Sequence, residues 1–309
     1  MSSSESETSS ASSTLGYNDA TKLDNSLQGS VWKAKQQSTN RNIVIKITKK
    51  DLHKKSATSQ NGRLCSISEN IKSETVILRY LTSNAKCPKS IVKYIDFFKT
   101  EHDYRLIMED GGSSSFEFVQ NVHEHIKDGK IEISDWHNVV KIMFKQLIEA
   151  IEYIHSQNVC HFDVSLENVL LNGIDIFYGP DDKIYFLRNG SIQIKLCDFG
   201  LAHYYGQNSD FLSNKYCGKA IYKSPEIIDR KKQFNAKAND IFSVGVALFV
   251  LLFGLHPWRS ASYKYDKACR MIMDGELKKL LKMYKREKYA NDQIIELLSM
   301  IFKFENKRA

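Results

Sequence analysis

Six short stretches of this chain hold residue types that can do chemistry. "CHFDVSLENVLL" contains His161, Asp163 and, five residues on, Asn168. "IKLCDFGLA" contains Asp198, followed by Phe199 and Gly200. "IVIK" ends in Lys46, and Glu74 sits in a helical pattern further on. "CGKAIYKSPE" ends in Glu226, and "NDIFSVG" carries Asp240 and Gly245. Carboxylates and amides offer hard oxygen atoms, an aspartate can accept a proton, and a lysine supplies a cation. Taken singly, Asp163, Asn168 and Asp198 are ordinary turn residues and Lys46 is a strand-surface lysine. Only the whole set, in this order, argues against that reading.

The elements that must position these residues change character along the chain. "SVWKAKQQSTNRNIVIKI" alternates as a hairpin whose turn lies near Ser38 to Asn42. A polar insert, Lys49 to Asn70, precedes a helical pattern, "ISENIKSETVILRYL". Its apolar positions Ile67, Ile71, Val76, Leu78 and Leu81 fall mostly on one face, and Ser66 with Glu69 fits a capping box. "SIVKYIDFFKT" and "YRLIMED" read as strands, and Gly111-Gly112-Ser113-Ser114-Ser115 then punctuates the chain. Helical periodicity dominates afterwards, most clearly over residues 138–158. This order predicts a β-rich half with one helix, a helix-rich half, and a ligand cleft between two lobes. The boundaries expected are a disordered Ser/Thr-rich tail over 1–14, a small lobe over 15–110 and a large lobe over 111–309.

Composition narrows the class. At 309 residues, with 42% hydrophobic and 26% charged residues, the chain is neither wholly disordered, nor collagen, nor coiled coil. The net charge of +8 suits phosphate ligands, acidic lipid or nucleic acid, but more commonly reflects a soluble surface. Six cysteines lie too far apart in sequence for a CxxC pair, so free thiols in a reducing, intracellular and cytoplasmic setting are expected. No secretory signal is visible. The run from Ile241 to Gly254 is too short to span a bilayer and reads as a buried helix, so no transmembrane segment is expected.

Together the motifs resemble the eukaryotic protein kinases of the Ser/Thr type, from about Leu23 to Arg308. Lys46 stands where the V-A-I-K lysine belongs, and His161-Phe162-Asp163 with Asn168 matches the spacing of H-R-D-x-x-x-x-N. Asp198-Phe199-Gly200 is an intact D-F-G, and Ser224-Pro225-Glu226 is close to A-P-E. The resemblance implies an α+β, two-lobed kinase fold with a small β-rich N-lobe carrying helix C and a larger, mainly helical C-lobe. It implies ATP and Mg²⁺ as cofactors and proteins as substrates. By the same resemblance Asn168 and Asp198 ligate Mg²⁺, Asp163 accepts the proton of the attacking hydroxyl, and Lys46, steadied by Glu74, contacts the phosphates. Adenine is expected between Val31 and Val44 on one side and Leu170 on the other, with Met108 as gatekeeper and the backbones of Glu109 and Gly111 on the purine edge. Glu226 is expected to pair with Arg308, and Asp240 to tether the catalytic loop by its backbone amides. The chain ends at Ala309, where the family adds another helix, so a shortened or naturally short end is expected.

Several positions depart from the pattern. The phosphate-covering loop reads Asp24-Asn25-Ser26-Leu27-Gln28-Gly29-Ser30-Val31 and keeps only its last glycine, Gly29. Side chains at 24 and 26 and the charge of Asp24 predict weaker ATP binding. Phe162 replaces the arginine that receives an activation-loop phosphate, so phosphorylation of Ser209, Ser213 or Tyr216 is not expected to be required. Ser165 and Lys219 look like an exchange: the usual catalytic-loop lysine is a serine, and the usual threonine after C-G is a lysine. Lys219 would then supply the ammonium that steadies Asp163 and the transferring phosphate, and Ser165 the hydrogen bond. This combination is similar to the divergent FIKK-type kinases, although their naming run is Val44-Ile45-Lys46-Ile47 here. The stretches from Lys46 to Glu74 and from Asn168 to Asp198 exceed the family norm. The second reads as an added β-hairpin around Gly179-Pro180-Asp181-Asp182 that extends a sheet, with docking of a partner as the alternative.

The leading reading is therefore an ATP-dependent Ser/Thr protein kinase. Its rival is a pseudokinase, favoured by the glycine-poor loop and Ser165 and opposed by the intact Lys46, Glu74, Asp163, Asn168 and Asp198. Lysines between 278 and 287 read as a solvated helix face, and nucleic acid is not expected as a partner.

Overall fold

The computed structural model describes residues 16–26, 28–53, 57–60, 63–66, 70–179, 182–207 and 210–303. The expected disordered tail, the Ser66–Glu69 capping box, Ser209 and the Glu226–Arg308 pair involve residues outside these ranges. The chain divides into two compact units, Met1–Ala85 with Val92–Asp110, and Lys86–Ile91 with Gly111–Ala309.

The first unit is built on a five-stranded antiparallel sheet in the order β1-β2-β3-β7-β6. Its strands are β1 (Tyr17–Ser26), β2 (Gly29–Gln36), β3 (Asn42–Lys49), β6 (Tyr94–Lys99) and β7 (Asp103–Glu109). Alternation sorts the β3 side chains. Ile43 and Ile45 face a core with Tyr17, Ala34 and Ile107, while Val44 and Lys46 face the other way. A short helix, α1 (Lys50–His53), follows, and the polar insert holds a two-stranded ladder, β4 (Ala57–Gln60) with β5 (Arg63–Ser66).

Helix α2 (Ile71–Ser83) begins later than the sequence pattern suggests. Its N-cap is Asn70, whose side chain accepts from the amides of Lys72 and Ser73 at 3.0 and 3.2 Å. The expected capping serine instead ends β5. Val76, expected on the apolar face, is 67% exposed. The buried stripe is Ile71, Glu74, Thr75, Ile77, Leu78 and Leu81, so a carboxylate belongs to it.

The second unit is mainly helical. After the short β8 (Ser113–Ser114) come α3 (Ser115–Lys127) and α4 (Ile133–Ser156). The short β9 (Val159–Cys160) leads to the hairpin of β10 (Val169–Tyr178) and β11 (Ile184–Leu196). Its register runs from Val169↔Leu196 to Tyr178↔Ile184, so the long stretch before Asp198 extends a ladder, as its alternation suggests. Small ladders pair β12 (His203–Tyr204) with β9 and β13 (Leu212–Ser213) with β14 (Phe234–Asn235). Between them lies a one-turn helix, α5 (Pro225–Ile228).

Helix α6 (Ala236–Phe253) is apolar on all sides and buried over 83% of its 18 residues, as a core helix must be. It is long and apolar enough to cross a membrane, but its burial inside the unit accounts for its hydropathy. Helices α7 (Lys267–Met273), α8 (Leu277–Met283) and α9 (Asp292–Ile301) complete the unit. On α8, Leu277, Leu280 and Leu281 are buried, while Lys278 and Lys279 pair with Asp292 and Glu276, so these lysines form a solvated face.

Candidate active site

The residues singled out from the sequence divide between the two units. In the first, Val31, Val44, Lys46 and Met108 share one face of the sheet. Val31 is paired across the ladder with Lys46, and Val44 with Met108, and directly paired residues point to the same side. Lys46 donates to Glu74 at 2.9 Å, with 10% and 1% of the two side chains exposed. A buried ammonium is costly without such a partner, and an α2 that buries a glutamate supplies it. Glu109 closes β7, where its amide donates to the Lys93 carbonyl at 3.0 Å.

Across the β1–β2 ladder Asp24 stands opposite Val31 and Ser26 opposite Gly29. Asp24 accepts from the Asn25 amide at 2.7 Å. A Cβ on Gly29 would collide with the Ile47 carbonyl of β3, so strand packing by itself demands this glycine.

In the second unit Gly111 lies against Leu170 and Lys195, so the two adenine candidates of this unit are neighbours. The catalytic loop runs between β9 and a 3₁₀ turn, Leu166–Asn168. Asp163 is fixed at both carboxylate oxygens. Oδ1 accepts from the Lys219 amide at 2.9 Å. Oδ2 accepts from Asn168 Nδ2 at 2.8 Å and from Lys219 Nζ at 3.1 Å. Lys219 Nζ also donates to Ser165 Oγ at 2.8 Å. The residues read as an exchange therefore form one cluster with Asp163, although 56 residues separate Lys219 from it. Gly218, at φ 93°, permits this approach, since a Cβ there would strike the Phe162 carbonyl.

Asp198 sits in the left-handed region at φ 61° and accepts from the Gly200 amide at 3.4 Å. Phe199, fully buried, packs edge-on to His161 with ring centroids 4.8 Å apart. The Cys197 amide donates to the Asn168 carbonyl at 2.9 Å, so the turn bearing Asp198 is tied to the loop bearing Asn168. Asn168 donates its amide nitrogen to both the carbonyl and the carboxylate of Asp163, at 2.8 Å each.

Asp240, with no exposed surface, accepts from the amides of His161 at 2.7 Å and Phe162 at 2.9 Å. The sequence reading anticipates this tether but misses His155, whose Nε2 lies 3.0 Å from Asp240 Oδ2. No spacing signal marks His155, because it projects from the last turn of α4. Phe162 enters an apolar cluster with Cys160, Leu201, Phe211, Cys217, Ile227, Phe234 and Ala236. Lys215 Nζ lies 5.4 Å from the centre of its ring and donates to the Leu201 carbonyl at 2.6 Å. Where the family's arginine would answer a phosphate, this chain places apolar packing.

Burial holds several histidines neutral. Desolvation lowers His123 to about 4 and also lowers His137, His161, His203 and His256. Unfolding releases them to titrate near 6.5, so below that pH the unfolded chain binds more protons. Stability is therefore full above about pH 6.5 and is lost as the pH falls towards about 4. Urea titrations at pH 7.5, 6 and 5 should show a falling midpoint, with the slope reduced in His123→Gln. A flat profile across that window contradicts this reading.

A sheet unit carrying a buried lysine–glutamate pair and a helical unit carrying a tethered aspartate, an asparagine and a D-F-G turn are the features of a domain of the protein kinase class. The chain belongs to the protein kinase family: the family model described as "Protein kinase domain" matches residues 17–309. Among its relatives is the DNA damage response protein kinase DUN1 of Saccharomyces cerevisiae, 37% identical over 38% of this chain and 23% of the relative. Serine/threonine-protein kinase SRK2F of Arabidopsis thaliana is 30% identical over 55% of this chain and 41% of its own length. Serine/threonine-protein kinase ATG1 of Kluyveromyces lactis is 27% identical over 85% of this chain and 30% of its own length. The chain thus spans well under half of these relatives' lengths.

Proposed function

We propose that this chain is a catalytically competent serine/threonine kinase that transfers the γ-phosphoryl group of Mg-ATP to hydroxyls of protein substrates. The observation that carries this reading is the state of Asp163, whose two carboxylate oxygens are held by Lys219 and Asn168. A general base must be aimed at the proton it takes, and a fixed carboxylate beside a cation meets that need. Lys219 offsets negative charge that develops near Asp163, and Ser165 keeps its ammonium in place. Lys46, held by Glu74, is the amine for the nucleotide's phosphates.

Asn168 and Asp198 fit Mg²⁺, since both present hard oxygen donors and the Asn168 nitrogen is already spent on Asp163. When bound, the ion supplies neutralisation of phosphate charge. Asp24 favours the rival reading of a scaffold, because it puts negative charge in the segment that covers phosphate in the family.

One assay separates the two. Radiolabelled transfer from Mg-ATP to a mixed protein substrate should be robust for the wild type and at least about 10³-fold lower for Asp163→Asn. Phosphatase treatment beforehand should leave the wild-type rate standing. Equal residual labelling by wild type and Asp163→Asn would establish the scaffold instead.

A further inference from the structure

The geometry points to an acceptor segment with an acidic residue close to its phosphorylated hydroxyl, selected by Lys223. The inference rests on the kinase reading above, because it takes Asp163 as the point where the hydroxyl arrives.

The acceptor must come within hydrogen-bond reach of Asp163, whose Oδ2 is shared with the Lys219 ammonium. Whatever flanks the hydroxyl therefore passes the turn that begins at Lys219. That turn is closed by two bonds to the Lys219 carbonyl, from the Tyr222 amide at 3.0 Å and the Lys223 amide at 3.2 Å. The second spans four residues and closes one turn between residues 219 and 223. Two ammonium groups thus follow each other along the approach to Asp163, with no acid between them in the sequence.

The two lysines differ in one respect. Lys219 is neutralised by Asp163, whereas Lys223, half-buried, has no carboxylate partner among the described residues. Several other lysines of this unit do have such partners: Lys145 with Glu149, Lys183 with Glu132, Lys278 with Asp292 and Lys279 with Glu276. Just beyond, Arg230, Lys231 and Lys232 are exposed, and the Tyr216 hydroxyl donates to the Lys231 carbonyl at 2.6 Å, which joins this basic run to the same segment.

Among the acids nearby, exposed Asp229 opposes the run Arg230-Lys231-Lys232 with one charge against three. Glu226 is buried at 1% exposure. Burial and, after it, the charge of Glu167 raise the Tyr222 hydroxyl, and Glu167 also acts on His256. An unmatched, half-buried cation rewards a carboxylate supplied by a partner, and Glu167 penalises one that arrives on its own side. The preference is therefore for acid at a particular place and not for acid in general.

The test uses the full chain and a set of serine peptides in which aspartate, lysine or alanine is stepped through each flanking position. At one position aspartate should raise kcat/KM about fivefold or more over alanine, mainly through KM, and the gain should shrink in high salt. Lys223→Glu should reverse the order of the aspartate and lysine peptides at that position, and Lys223→Ala should level it. Labelling without an aspartate preference at any position overturns this inference alone, as does a preference unmoved by both substitutions. If the wild type labels none of the peptides or the mixed protein substrate, the kinase reading fails and takes this inference with it.

Discussion

Lys219→Ala is expected to lower kcat about a hundredfold while the KM for ATP moves by less than about threefold. The ammonium bridges Asp163 Oδ2 and Ser165 Oγ, next to the group that must take the proton. A cation so placed matters most when charge builds in the transition state, so its loss appears in kcat. The Lys219 amide still donates to Asp163 Oδ1 after truncation, so the carboxylate keeps its aim and the effect isolates the charge. The exchange with Ser165 supplies a stricter check. In the double substitution Ser165→Lys with Lys219→Thr, the cation returns from the other side of Asp163 and the hydroxyl takes its place. Activity should recover at least about tenfold over either single variant, a non-additivity expected only of groups that act on one centre. Wild-type kcat in Lys219→Ala would remove the ammonium from the chemistry.

Asp240→Asn is expected to cost roughly 3 kcal/mol or more of unfolding free energy. Asp240 is fully buried and accepts from two amides, and His155 Nε2 lies within hydrogen-bond distance. An asparagine has one acceptor oxygen, so its amide nitrogen would confront a donor with no water to relieve it. The tether also holds strain, because Phe162 adopts φ 66°, a left-handed conformation costly for an aromatic residue. Its ring is repaid by burial in the apolar cluster and by an edge contact with Phe234 at 6.4 Å. Urea denaturation at pH 7.5 measures the loss, and Asp240→Ala, which leaves all three groups unanswered, should be at least as severe. A change below about 1 kcal/mol in both variants would show that the loop is held by other means.

Particular elements show how far the sequence could be read. The β2–β3 hairpin, the long helix before the catalytic loop, the buried apolar helix and the added hairpin all follow from local alternation or periodicity. The start of α2 does not, because several residues between Ser66 and Asn70 could cap it. Asn70 is chosen by where the chain can turn into the packed helix, and Val76 is left outside for the same reason. The motif residues were legible by type and order, yet His155 was not, since a histidine at a helix end carries no mark of the buried carboxylate it will meet. Phe162 was legible as a missing arginine, but not as the centre of an apolar cluster drawn from several separate segments.

The sequence by itself determined which groups are present and which local elements carry them. Side-chain chemistry is intrinsic, and strand and helix periods are short-range. The pairing of Lys46 with Glu74 and of Lys219 with Asp163 and Ser165 was expected from the motifs, whereas only the tertiary structure decided that Phe162 is buried in an apolar cluster, that His155 meets Asp240 and that Lys223 has no acid among the described residues. Those outcomes depend on close-packed approach between residues distant along the chain. They are set by steric fit, as at Gly218, and by the cost of burying an unanswered charge, neither of which spacing alone records.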